Sequence, residues 1–557
     1  MRHAAVLTLA FLLAACVPPQ PAEETAGEAV TVYTGGTIYT GDPAMPQAGA
    51  VEVGADGRIQ RLIPVSEVDR GDWEVAVDTP TMTVVDLKGG YMFPGFVDSH
   101  VHLKGVGQRE LTLNLEGTAS IGELVTRVEA ELADKAPGEL LVGRGWIETG
   151  WPEARMPSAA DLDAVSPGNP VFLVRADGHA MVANSAALAA ADILDLTGDP
   201  PGGHVERGPD GKATGIVIDY AMMPVYALAG APTEAEQMAA LETGARTYVS
   251  RGWTGGHNMS VDPEEAPLMT ALDKDGRLPL RLYNAFGENG LRIAEKHDFE
   301  TDTIRNRAVK LYMDGALGSR GALLIAPYAD RPETSGLALL EPEALHNLMM
   351  TAKEKKVQLA IHAIGDLANR RILDTFDELD YGPELRWRIE HTQILAPEDI
   401  SRVGGLGLIA SMQPSHAIGD LHFAPARLGM DRLAGAYAWR DLLKTGAVVT
   451  GGSDAPVEVG SPLIEFYAAV ARKDLTGFSG EGWHPEQALS REEALALFTS
   501  APAFASFTED DLGTIAPGKL ADFTVFDRDL MTVPEAEILD AKAMMTVVGG
   551  EIVYRAD

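Results

Sequence analysis

Five side chains between residues 100 and 454 are of types that hold metal ions, and a lysine set among apolar residues stands with them in the sequence. Asp98-Ser-His100-Val-His102 places two histidines at i and i+2. Such a pair leaving a strand points to one side and can chelate one ion, while the plainer alternative is two exposed loop histidines. Val309-Lys310-Leu311 sets a lysine inside an apolar strand. Buried there, its ammonium would carry a large desolvation cost or lose its charge; otherwise it snorkels to solvent from a strand end. Ile361-His362 and Glu390-His391 each close an apolar run. Either one alone reads as a core histidine bonded to backbone. On consecutive strands, and together with His100 and His102, they read as ligands. Asp454, in Gly452-Ser-Asp454-Ala-Pro456, follows a further apolar run and would otherwise be a helix N-cap. Imidazole and carboxylate donors suit Zn²⁺ and similar divalent ions.

The elements that position these residues alternate between strand and helix. Apolar strand candidates lie at Phe96–Asp98, Trp253–Gly256, Leu280–Phe286, Val309–Met313, Leu359–Ile361, Trp387–Glu390, Leu408–Met412 and Val448–Gly451. Helical segments such as Glu341–Lys355 and Ala368–Leu379 separate several of them. Eight such units predict an α/β fold, a (β/α)₈ barrel, with the six residues at the C-terminal ends of its strands, where barrel active sites assemble. A ninth candidate, Val171–Val174, falls in the long gap between the first two strands. That gap predicts an inserted subdomain at about 105–250 within a barrel spanning 93–507. Residues 30–92 and 508–557 both read as short alternating strands, with Asp56-Gly57 as a hairpin signal, and predict one composite β-sandwich built from both termini.

The stretch Gly89-Gly-Tyr-Met-Phe-Pro-Gly-Phe-Val-Asp98-Ser-His100-Val-His102 resembles the amidohydrolase superfamily, which carries Pro-Gly-x-x-Asp-x-His-x-His after its first barrel strand. Lys310-Leu-Tyr-Met-Asp-Gly-Ala-Leu-Gly-Ser-Arg320 is similar to the amidohydrolase-3 branch that includes N-substituted formamide deformylases. The resemblance implies a TIM-like metal-dependent hydrolase barrel with His100, His102, Lys310, His362, His391 and Asp454 as metal ligands. It further implies a CO₂-derived carbamate on Lys310 bridging two divalent ions, zinc by preference, and a bridging hydroxide that attacks a carbonyl. Asp454 would be the general base and would hand the proton to the leaving nitrogen, with His391 beside it. The activity implied is hydrolysis of C–N amide bonds other than peptide bonds. Rival readings are a deaminase or cyclic-amide or lactone hydrolase on the same site, an isomerase or decarboxylase on the same fold, and a catalytically silent envelope scaffold.

Substrate contacts are expected from the insertion and the loops. Asp177-Gly-His179-Ala-Met-Val-Ala-Asn184 resembles a recurring segment of the same branch, and His179 is expected to donate to the small-molecule substrate across the barrel mouth. Trp146 and Trp151 read as an aromatic wall or as core. Arg320 reads as a bidentate carboxylate binder or a partner of Asp314. Gln413 reads as a substrate hydrogen-bond partner. His257 has no assigned role, and His416, His422 and His484 read as loop histidines.

The chain has 557 residues, with 81 acidic and 45 Lys or Arg side chains and a net charge of −36. A surface this acidic argues against nucleic acid as a partner. Residues 1–15 read as a signal peptide, with Arg2 before a short apolar run. Leu13-Ala-Ala-Cys16 resembles a lipobox around the chain's one cysteine, which implies lipidation at Cys16 and an exported, membrane-anchored lipoprotein of the bacterial periplasm or envelope. Residues 16–29 read as a tether. A homo-oligomer is left open.

Overall fold

The structure is a computed structural model that describes residues 29–69, 82–148, 150–176, 178–200, 203–379, 382–480 and 483–556. The signal peptide and Cys16 lie outside the described residues. Eight parallel strands, numbered here in chain order, form the central sheet: β1 (Phe96–Val101), β2 (Trp253–Val261), β3 (Arg281–Phe286), β4 (Ile304–Tyr312), β5 (Gln358–Ala363), β6 (Arg388–His391), β7 (Ile409–Met412) and β8 (Val448–Gly451). Each pairs with the next in sequence. Helices such as Pro342–Lys355 and Asp366–Leu379 cover the outside. The second of these presents Ala368, Ile372, Leu373, Phe376 and Leu379 as one buried stripe at helical spacing.

The ring closes where the chain after β8 runs beside β1. Asp454 N donates to His100 O at 2.7 Å, and His102 N donates to Ala455 O at 2.8 Å. Asp98 holds the seam. Its Oδ1 accepts from Ser453 N at 2.9 Å, and its Oδ2 accepts from Ser453 Oγ at 2.5 Å and from Tyr248 OH at 3.0 Å. Burial pushes its carboxyl up to about 6. β1 therefore runs three residues beyond the end expected from hydropathy, because Ser99 to Val101 are held by neighbouring strands rather than by apolar burial alone.

The gap between β1 and β2 holds its own six-stranded sheet, ordered Gly203–Arg207, Ala213–Asp219, Ala180–Ala183, Val171–Arg175, Leu141–Trp146 and Leu113–Asn114. The ninth strand candidate belongs there and not to the barrel. The chain returns to β2 through the helix Glu234–Arg251, which opens on a Thr233/Glu236 capping box and stops at Gly252 with φ 106°.

Strands from both termini complete the molecule. Val30–Thr34, Ala50–Gly54, Ile59–Ile63 and Met82–Asp86 form one sheet. Thr37–Tyr39, Gln47–Ala48 and Tyr91–Pro94 join Phe523–Phe526, Ala543–Val548 and Glu551–Arg555 in another. Tyr33, Ile38, Val53, Met92, Phe523 and Val547 fill the core between them. Thr524 ties this unit to the barrel: its Oγ1 accepts from Phe96 N and donates to Gly252 O. No described helix is long and apolar enough to cross a membrane.

Candidate metal centre

The C-terminal strand ends bring donor groups together from four strands. His100 and His102 leave β1, His362 lies on β5, His391 ends β6 and Asp454 follows β8. Donor atoms of His100, His391 and Asp454 all lie within 4.8 Å of one another. The His362 and His391 ring centroids are 4.5 Å apart, and those of His100 and His391 are 4.9 Å apart. Asp454 Oδ1 stands 3.2 Å from His102 Nε2 and 3.5 Å from His100 Nε2. His391 and Asp454 are held at φ 73° and 58°, a left-handed conformation that costs a non-glycine residue about 1–3 kcal/mol and clusters at functional sites.

Three of the imidazoles share one arrangement. His100 Nδ1 lies 2.6 Å from Glu390 Oε2, His102 Nδ1 3.1 Å from Met259 O, and His391 Nδ1 2.8 Å from Gln413 Oε1. Carboxylate, carbonyl and amide oxygens only accept, so each Nδ1 carries a proton and Nε2 is the nitrogen left to face the centre. Burial pushes His100 down to about 4, with Lys310 adding to the effect, and burial holds His391 well below the usual histidine range. Both rings are thus neutral, the form that ligates.

These residues fit divalent cations. His100 Nε2, His362 Nε2 and Asp454 Oδ1 are buried and have no hydrogen-bond partner in the protein. A desolvated polar atom left unpaired costs about 1–3 kcal/mol, and a cation held between these atoms would remove that cost. Lys310 is buried on β4 with Nζ 4.3 Å from the centre of the Tyr312 ring, and the Tyr312 ring lies 5.4 Å from that of His362.

Behind His100 stands a charged network that the sequence reading did not find. Arg388 binds Glu390 through both oxygens, at 2.7 and 3.1 Å. It also donates to Ser99 O and Ser411 Oγ at 2.7 Å each, and to His257 Nδ1 at 2.6 Å. Arginine always donates, so His257 accepts through Nδ1. Burial works against the charge of Glu390, but Arg388 and His100 hold it below the carboxylate range. The available signal was Arg388-Ile-Glu390: two charges at i and i+2 on one face of an apolar strand.

Several expected substrate residues serve other ends. Trp146 is a core residue of the insertion, its Nε1 donating to Leu173 O at 2.8 Å, so the wall reading is corrected; Trp151 packs beside it. Arg320 is held by Asp330, at 2.7 and 3.2 Å, and not by Asp314, whose oxygens accept backbone N–H from Leu323, Ile364 and Gly365. Gln413 orients His391. His179 lies on the insertion with Nδ1 2.9 Å from Asp219. His422 and His484 pair with Asp474 and Glu486. His416 is not a loop histidine. It lies on the helix Pro414–Asp420 with its Nε2 buried, unpartnered and 3.7 Å from Asp454 Oδ2.

Comparison with known proteins agrees with this geometry. The model of the amidohydrolase family matches residues 83–554. Bacillus subtilis YtcJ is 33% identical over 86% of this chain and 91% of its own. The N-substituted formamide deformylase of Arthrobacter pascens is 28% identical over 85% of this chain and 90% of its own. Among solved structures, an uncharacterized metal-dependent hydrolase from Pyrococcus horikoshii superposes with a TM-score of 0.73 at 28% identity, covering 91% of this chain and 99% of that one.

Proposed function

Because the chain belongs to the amidohydrolase family and is a hydrolase, we propose that it uses two divalent ions, zinc by preference, to cleave C–N bonds of small amides. The observation that carries this reading is the convergence of the His100, His102 and His391 rings on Asp454, each backed by an acceptor at Nδ1. Divalent ions held there would supply carbonyl polarisation and a more acidic water. His100, His102, His362 and His391 would hold them together with Asp454.

Asp454 is the general base in this reading. It takes a proton from the attacking water and delivers it to the leaving nitrogen, which departs poorly as an anion. Glu390 and Gln413 keep His100 and His391 in the ligating tautomer. Lys310 is the sixth ligand, as a carbamate formed when Nζ adds to CO₂ with loss of a proton. Its burial supports this, because no carboxylate among the described residues lies within 4.0 Å of its Nζ. The relative named for formamide chemistry favours N-acyl amines, N-acyl amino acids and formamides as substrates. Leu13-Ala-Ala-Cys16 supports a lipid anchor at Cys16 and a place in the bacterial envelope.

The test is elemental analysis of the soluble chain purified without chelator and with bicarbonate, followed by an amide panel. About two metal equivalents and metal-dependent release of amine and carboxylate are expected. Asp454→Asn should keep most of the metal and lose about 10²-fold or more in turnover. Failure to take up zinc, manganese or cobalt would overturn the reading, and release of ammonia alone would turn it toward a deaminase.

A further inference from the structure

The helix after β7 carries a further imidazole beside the metal-competent set. His416 stands on the helix Pro414–Asp420, three residues past the Gln413 that orients His391. Its ring lies nearly parallel to that of His391, at 14° and 5.9 Å between centroids. The start of the helix is anchored by Ser415 N, which donates to Glu465 Oε2 at 3.0 Å. The ring is therefore fixed by packing on a rigid element and not by a mobile loop.

Asp454 faces two ways. Its Oδ1 lies toward His100 and His102, and its Oδ2 lies toward His416 Nε2 at 3.7 Å. Glu458 Oε1 is 3.9 Å from the same nitrogen. These separations exceed a hydrogen bond, so Nε2 stays buried and unpartnered. Nε2 is thus open to a group that enters the space in front of Asp454. A nitrogen that carries its proton donates and does not ligate.

We propose that His416 is a further catalytic residue, whose Nε2–H donates to the oxygen of the scissile carbonyl as charge gathers there. This rests on the amide-hydrolysis reading above and adds to it the group that recognises the tetrahedral oxygen. A preorganised donor aimed at developing charge in a site away from water is among the larger catalytic effects.

The experiment compares the zinc-loaded parent with His416→Phe, which keeps a flat ring, with His416→Ala, which adds no bulk, and with His416→Gln, which keeps a donor. Three readings are taken: zinc content, kcat and KM on the best amide of the panel, and binding of methylphosphonate and acetate as tetrahedral and planar probes. Expected for the Phe and Ala variants are unchanged zinc, a kcat lower by about 10²–10³-fold with little change in KM, and methylphosphonate binding weakened about tenfold or more while acetate is spared. The Gln variant should recover part of the loss. Loss of zinc would make His416 a ligand and overturn the proposal, as would turnover within about threefold of the parent. A parent that cleaves no amide would instead remove the reading beneath it.

Discussion

His100 Nδ1 and Glu390 Oε2 lie 2.6 Å apart, and neither side chain is reached by solvent. Glu390 is in turn clamped by Arg388, so the orientation of one β1 imidazole is set by a charged pair on β6. Glu390→Gln keeps the shape and removes the charge. It should weaken zinc binding about 10–100-fold, read by competition with a chromophoric chelator. Parent-like affinity would mean that the carboxylate contributes only packing.

Lys310→Ala tests the carbamate. The variant should hold less metal than the parent and lose activity, with partial recovery when a short carboxylate such as formate is added. Full metal content and activity without additive would contradict a bridging role for Lys310.

Gly452 is where the ring closes. A Cβ there would stand 2.5 Å from His100 N and 2.8 Å from Asp98 Oδ1. Gly452→Ala must push β1 and the segment after β8 apart. A loss of about 1–3 kcal/mol in stability is expected, seen as a lower thermal midpoint together with weaker metal retention. An unchanged midpoint would show that the seam gives way freely.

Burial pushes the Asp420 carboxyl up to about 7, although Tyr437 OH and Gln393 Nε2 donate to it. An acid raised on folding favours the fold while it is protonated. Its contribution is complete below the ordinary carboxylate range and is lost as pH rises through about 7. Asp420→Asn accepts the same two donors and does not ionise. Its thermal midpoint should gain on the parent's as pH is raised from about 4 to 8. Parallel midpoint curves would assign the pH response to other groups.

Cys16→Ser should move the full-length chain from the membrane to the soluble fraction of the producing cell, since a lipid chain gains about 0.8 kcal/mol for each methylene it buries. Unchanged membrane association would count against lipidation at Cys16.

Much of the barrel was legible along the chain, because apolar runs that end in His, Asp or Lys are local patterns and strand ends are where a barrel exposes polar groups. The metal-competent residue types were legible for the same reason. Trp146 and Arg320 were not, because an aromatic or a guanidinium carries no mark of whether its partner is a substrate or Leu173 O and Asp330.

The sequence by itself determined the donor types, their order and the strand on which each one stands. Only the tertiary structure decided which nitrogen of each imidazole faces the centre. That choice depends on the acceptor behind the ring, and for His102 and His100 the acceptors are Met259 and Glu390, 157 and 290 residues along the chain. It also decided that His416 stands beside Asp454. The physical reason is that tautomer and burial are set by what folding brings within about 3 Å, and neighbours in space leave no trace in local spacing.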